Sequence, residues 1–134
     1  MVEELIMHHA DAVRFILVGF HLVSQHADDF LLRARTRSTA EADVVFELLI
    51  AVILSAQCTD KRVNVITKGL FEALPTVEAM AASTTEEIAT LIKTCSYFNN
   101  KAKNLLAMAQ NVVANFGGKI PHDETSLKSL AGVG

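Results

Sequence analysis

Phe46-Glu47-Leu48-Leu49-Ile50-Ala51-Val52-Ile53-Leu54-Ser55-Ala56 is apolar almost throughout, with Glu47 its only charge. A run of this kind suits a buried strand or a buried helix. Its length and its lack of turn residues predict a helix, with Glu47 in the first turn where the helix dipole favours an acid. A helix that is apolar on every side belongs in the middle of a bundle. The rest of the chain is therefore read as the cover for this segment.

Moving toward the C-terminus, Asp60 is placed to cap the next helix, with Val63, Ile66, Leu70 and Phe71 facing inward and Leu74-Pro75 ending it. Thr76 starts a short helix through Met80 and Ala81. Ser83 and Thr84 each have a glutamate three residues on, which predicts a capping box. Ile88, Leu91, Ile92 and Cys95 then make an inward stripe. After Asn99-Asn100, residues Ala102, Leu105, Leu106, Ala109, Val112, Val113 and Phe116 share one helical face, and Gly117-Gly118 terminates it. Pro121 breaks the chain, Asp123 caps again, and Leu127 and Leu130 face inward.

Toward the N-terminus, Val13, Ile16, Leu17 and Phe20 predict a first amphipathic helix. Gln25 to Asp43, with Arg33, Arg35 and Arg37, reads as an exposed connection. No strand or internal repeat stands out. The expected fold is all-α, a helical bundle or barrel of about six or seven helices joined by short loops. The chain divides into residues 1–45, a helix and its connection, and residues 46–134, a helical domain.

Composition narrows the partners. The 134 residues are 51% hydrophobic with a net charge of −3, and the excess acidity lies in the first 45 residues. No basic face announces nucleic acid. The two cysteines, Cys58 and Cys95, lack metal-ligand spacing and read as reduced thiols of a cytoplasmic protein. His8 and His9 would splay on a helix, and His21 and His26 are poorly spaced for a shared metal, so no metal site is expected. The apolar run Phe15–Phe20 is too short for a bilayer, and Glu3 and Glu4 stand where a signal peptide carries cations.

Leu130-Ala131-Gly132-Val133-Gly134 closes the sequence. Two glycines let the backbone bend tightly and approach a ligand. Where a helix follows such a turn, its free N–H groups hold a phosphate oxygen. Alone, the pattern is equally an ordinary helix–helix turn.

Leu54-Ser55-Ala56-Gln57-Cys58-Thr59-Asp60-Lys61, with Phe46-Glu47-Leu48-Leu49 before it and Val63-Asn64 after it, resembles endonuclease III-type DNA glycosylases of the helix–hairpin–helix superfamily. Ser96-Tyr97-Phe98-Asn99-Asn100-Lys101-Ala102, Gly117-Gly118-Lys119-Ile120-Pro121 and the terminal glycine turn fit the same family in the same order, with Ala131 where proline is usual. The resemblance runs from Phe46 to Gly134. Before Phe46 it is weak.

The resemblance implies base-excision repair of oxidised pyrimidines in double-stranded DNA by a glycosylase and abasic-site lyase at the bacterial nucleoid. Such enzymes flip the damaged base out of the stack, and a lysine amine attacks the sugar. That lysine, the assisting aspartate and the cysteines of a [4Fe–4S] cluster fall beyond Gly134, so no catalytic residue and no cofactor is assigned within these residues, and residues 1–134 alone are expected to be inactive. What the resemblance does assign is DNA contact. Gln57 would fill the gap left by the flipped base, and Tyr97 would wedge between bases. Asn99, Lys101, Gly132 and Gly134 would serve the backbone. The plain alternatives are a helix-end glutamine bonded to backbone, a partly buried tyrosine, a capping asparagine and a solvated lysine. Two other readings stand beside repair: a DNA-binding module without catalysis, and a helical interaction or decayed protein. The last expects bare apolar surface along Leu105, Val112 and Leu127.

Overall fold

The computed structural model describes residues 41–55, 57–121 and 123–133. The expected helix at Val13–Phe20, the histidines before residue 27 and the three arginines lie outside the described residues. Within them the chain forms six helices and no strand: α1 (Glu41–Ser55), α2 (Asp60–Ala73), α3 (Val77–Ala81), α4 (Thr85–Leu91), α5 (Phe98–Asn115) and α6 (Glu124–Lys128). None is long and apolar enough to cross a membrane.

Helix α1 is the centre. Every side chain from Val45 to Leu54 is buried, Glu47 included. The helix begins at Glu41, five residues ahead of the apolar run, because Glu41 to Val45 contain no Gly or Pro to stop it. The segments 1–45 and 46–134 thus share a helix. Glu47 falls in the second turn of α1 and is buried, away from the dipole end expected for it.

The covering helices follow their apolar spacing. Helix α2 packs on α1 through Val63, Ile66, Leu70 and Phe71, and the rings of Phe46 and Phe71 meet with centroids 6.4 Å apart. Helix α5 packs against α1, α3 and α4 and buries Ala102, Leu105, Met108, Ala109 and Val112. Val113, expected inward, is 39% exposed, and Leu106 and Phe116 are half-buried. The helical repeat carries Leu106 and Val113 to one flank of the stripe and buries Met108 on the other, and Phe116 lies past the last helical residue, as the C-cap. Gly117, with φ +64°, lets the chain turn so that the Gly118 N–H reaches Val112 O at 3.0 Å and closes α5. Leu105, Val112 and Leu127 are fully buried, so the bare strip expected there does not exist.

The caps refine the sequence reading. Thr59, not Asp60, caps α2: its hydroxyl accepts from the Arg62 N–H at 3.2 Å. Asp60 is the first helical residue, where its backbone is already committed to the helix. Thr76 and Thr84 cap α3 and α4, and Ser83 instead donates to Met80 O.

Asp123 caps α6 by accepting from the Ser126 N–H at 2.9 Å. That backbone bond, and the Ser126 hydroxyl after it, hold the Asp123 carboxyl below the ordinary carboxylate range. A depressed folded-state value stabilises the fold above the unfolded value and is lost as pH falls through the folded one. Asp123→Ala is therefore expected to cost stability at neutral pH. The gap to the unmodified chain should close as pH drops through and below the usual carboxylate range. Urea melts of both proteins across that range check it, and a gap that stays constant would show that the cap acts without its charge.

Candidate nucleic-acid interface

Three of the residues singled out by sequence gather at the C-terminal end of α1. That end needs partners, because the last carbonyls of a helix have none within it. Lys101, in the first turn of α5, supplies one. Its ammonium donates to Leu54 O at 3.1 Å and to the Cys95 sulfur at 3.3 Å. A cation at this end is also favoured by the helix dipole.

Two turns leave from this junction. The first follows α1, where the Cys58 N–H reaches back to Ser55 O at 3.2 Å and Gln57 sits at the exposed tip. The second leads into α5, where Tyr97 is the helix N-cap residue and its carbonyl accepts from the Lys101 N–H at 3.1 Å. The segments that carry the turns touch: the Cys95 thiol donates to Leu54 O at 3.5 Å. Burial first, then Cys95, pushes the Cys58 thiol up.

Gln57 and Tyr97 share a rare backbone state. Both have φ +57°, and among the described residues they are the only non-glycine residues with positive φ. Left-handed backbone costs an ordinary L-residue roughly 1–2 kcal/mol. Both side chains point away from the core, with Tyr97 64% exposed. Tyr97 makes no side-chain cap for α5, so burial and capping do not account for its strain, while Gln57 stands two residues past α1, where a helix commonly turns through left-handed backbone, there most often at a glycine. Strain of this kind collects where a surface is held ready for a ligand.

Gly132 joins the same end. With φ +85°, its backbone lies so close to α1 and α5 that an added Cβ would stand 3.3 Å from both Ile53 and Asn104. Val133 and Leu130 anchor the turn in the core. Gly134 lies outside the described residues. Asn99 is exposed in the first turn of α5 and does not cap it.

Lys101 departs from both readings made of it. It is 6% exposed, and its charge is spent inside the protein rather than on solvent or phosphate. Asn99-Asn100-Lys101 carries no local mark of this, since the partner is 47 residues away. The exposed cations nearest Gln57 in sequence are Lys61 and Arg62, on the first turn of α2, which the sequence reading passed over. Their mark was their place, directly after the Gln57 turn.

Among the described residues, no group of three or more His, Cys, Asp or Glu could hold a metal ion. The chain has two cysteines, and one of them is committed to Lys101 and Leu54 O, so its residues do not fit an iron–sulfur cluster that needs four thiolates.

The helical body thus presents two exposed side chains on left-handed backbone and a glycine turn at one end. Solved structures of DNA glycosylases share this fold. One of a non-covalent endonuclease III–DNA complex matches with a TM-score of 0.63 and 37% identity, covering 69% of this chain and 42% of that one. Another, of a trapped endonuclease III–DNA covalent intermediate, matches with a TM-score of 0.64 and 31% identity, covering 82% and 54%. Residues 50–132 match the HhH-GPD superfamily base excision DNA repair proteins, and the chain belongs to that superfamily. Endonuclease III of Synechocystis is 44% identical over 87 residues, which are 65% of this chain and 40% of the relative. Endonuclease III of Bacillus subtilis is 41% identical over 99 residues, 71% and 45%. The chain spans less than half the length of these curated relatives.

Proposed function

We propose that this chain is the DNA-gripping part of an endonuclease III-type base-excision repair enzyme, acting in the cytoplasm at the nucleoid on duplex DNA with oxidised pyrimidines. The observation that carries this reading is the pairing of the two strained residues. Gln57 and Tyr97 hold left-handed backbone on turns tied together by Lys101 and Cys95 at the end of α1, and both side chains are exposed.

Each has a distinct task. An amide placed in the gap left by a flipped base can hydrogen-bond the orphaned partner base, because it carries donor and acceptor together. A phenol ring between neighbouring bases stacks on them and keeps the gap open. Lys61 and Arg62, with Asn99 and the Gly132 turn, face the phosphates. Lys101 serves from inside, by holding the two turns together.

Fluorescence anisotropy with a duplex carrying an abasic-site analogue tests this. Residues 1–134 are expected to bind it more tightly than an intact duplex, and more weakly as salt rises. Gln57→Gly and Tyr97→Ala should each weaken binding to the abasic duplex by about tenfold, or ~1.4 kcal/mol. Gln57→Gly should at the same time raise folding stability by about 1 kcal/mol, because glycine adopts positive φ without strain. Opposite signs for binding and stability separate a ligand-directed side chain from a structural one. Borohydride should trap no covalent adduct with the 134-residue polypeptide. Failure to bind either duplex at low salt, or unchanged affinity in the Gln57→Gly, Tyr97→Ala double variant, would overturn the proposal.

A further inference from the structure

Most of the outer face of α2 has no task in the DNA reading. The inner side of the helix, Val63, Ile66, Leu70 and Phe71, is buried, which fixes its rotation. At about 100° per residue, Val65 then lies at the centre of the opposite side, and it is 60% exposed. Lys61 and Lys68, both exposed, flank Val65 on one side, about 10 Å apart along the helix, and exposed Arg62 flanks it on the other. The acids of α2, Asp60 and Glu72, stand toward its two ends. Gly69 lies between the cations, one turn past Val65, with nothing within 4 Å of the place a Cβ would take. Glycine inside a helix lowers its stability relative to alanine, and no neighbour within the protein calls for it here. Its other use is to let a ligand approach the backbone closely.

We propose that the outer face of α2 is a second contact for the DNA backbone, on which one strand of the duplex, beyond the flipped nucleotide, runs over Val65 and Gly69 between the Lys61–Lys68 row and Arg62. The inference rests on the DNA reading of the Gln57 turn and extends it. Continuity gives the direction. Thr59 caps α2 two residues after Gln57, so a strand leaving the Gln57 gap meets Lys61 and Arg62 first and Lys68 two turns later. Charge gives the partner. The three cations make a local positive tract on a chain of net charge −3. Lysine is a flexible point charge that meets a phosphate without reading the base beside it. The tract therefore adds affinity and lengthens the footprint on one side of the lesion, and it adds no choice of sequence.

The test measures anisotropy of the full chain with three abasic-analogue duplexes: one long on both sides of the lesion, and two cut back close to the lesion, each on a different side. Lys68→Gln is expected to weaken binding to the long duplex about fivefold at physiological salt and to make the salt dependence shallower by about one phosphate contact. The loss should vanish on one cut-back duplex and persist on the other. Lys119→Gln, which removes an exposed cation past the far end of α5, should change neither affinity nor slope. Gly69→Leu should raise the melting temperature by a few degrees through helix propensity, yet weaken binding to the same duplexes as Lys68→Gln. Gln57→Gly should weaken binding to all three. Parental affinity and salt slope in Lys68→Gln, an equal loss on all three duplexes, or parental affinity in Gly69→Leu would overturn the tract, and the Gln57→Gly loss would still uphold the DNA reading. A parent chain that binds none of the duplexes at low salt would overturn both.

Discussion

Leu54→Ala is expected to lower the unfolding free energy by about 3–4 kcal/mol, a large share of the roughly 5–15 kcal/mol that holds a domain folded. Leu54 is fully buried in the last turn of α1, the helix whose side chains from Val45 to Leu54 are all buried. Removing its side chain strips apolar contacts and leaves a cavity. Close packing on all sides of α1 limits how far the neighbours can move in to fill it. Its carbonyl, the acceptor for Lys101, stays in place, so the loss reads packing alone. Denaturant melts measure it, with Val113→Ala on the exposed flank of α5 as a control expected within about 0.5 kcal/mol of the parent. A loss below about 1 kcal/mol would mean that the end of α1 collapses around the gap, so that packing does not hold the two turns.

Lys101→Met should cost about 1–3 kcal/mol. Two effects compete. Methionine removes a buried ammonium, which relieves desolvation and on its own would stabilise the fold. It also takes the ammonium from Leu54 O at a helix end, leaving that carbonyl the Cys95 thiol alone, takes a donor from the Cys95 sulfur and removes the cation that complements the α1 dipole. The second group of effects wins, because a buried carbonyl left with only a weak thiol donor bears most of its desolvation penalty while methionine adds nothing that hydrogen-bonds. Lys103→Met, on the exposed side of α5, removes the same charge and should leave stability within about 0.5 kcal/mol. Lys101→Met should also weaken binding to the abasic duplex at temperatures where the variant is fully folded, because the Gln57 and Tyr97 turns lose the tie between them. Full stability in Lys101→Met would show that the ammonium's own burial cost matches its bonds.

The fold was legible because its helices obey local rules. Val63, Ile66, Leu70 and Phe71 recur at helical spacing, and the structure buries all four. Thr84 and Asp123 hydrogen-bond three residues ahead of themselves, as their place before each helix predicts. The family was legible for a related reason. Its marks are short runs at turns, and Gln57 and Tyr97 could be named as exposed candidates without coordinates. The errors fell where two residue types satisfy one local rule equally. Thr59 and Asp60 both fit a helix start, and Val113 and Met108 both border the α5 stripe. The helix start and the rotation of the stripe decide each case.

What residues within about a turn of one another can settle, the sequence determined by itself: the helices, most of their caps, the apolar faces and the membership in a repair superfamily. The tertiary structure alone decided that Lys101 turns inward to the end of α1, that the Cys95 thiol meets Leu54 O, and that Gly132 seats against Ile53 and Asn104. The pairing of Lys101 with Leu54 spans 47 residues of chain, and that of Gly132 with Ile53 spans more. No spacing rule reaches that far, because such neighbours are set by how helices stack once apolar surface leaves water, and a side chain's environment exists only after that stacking is complete.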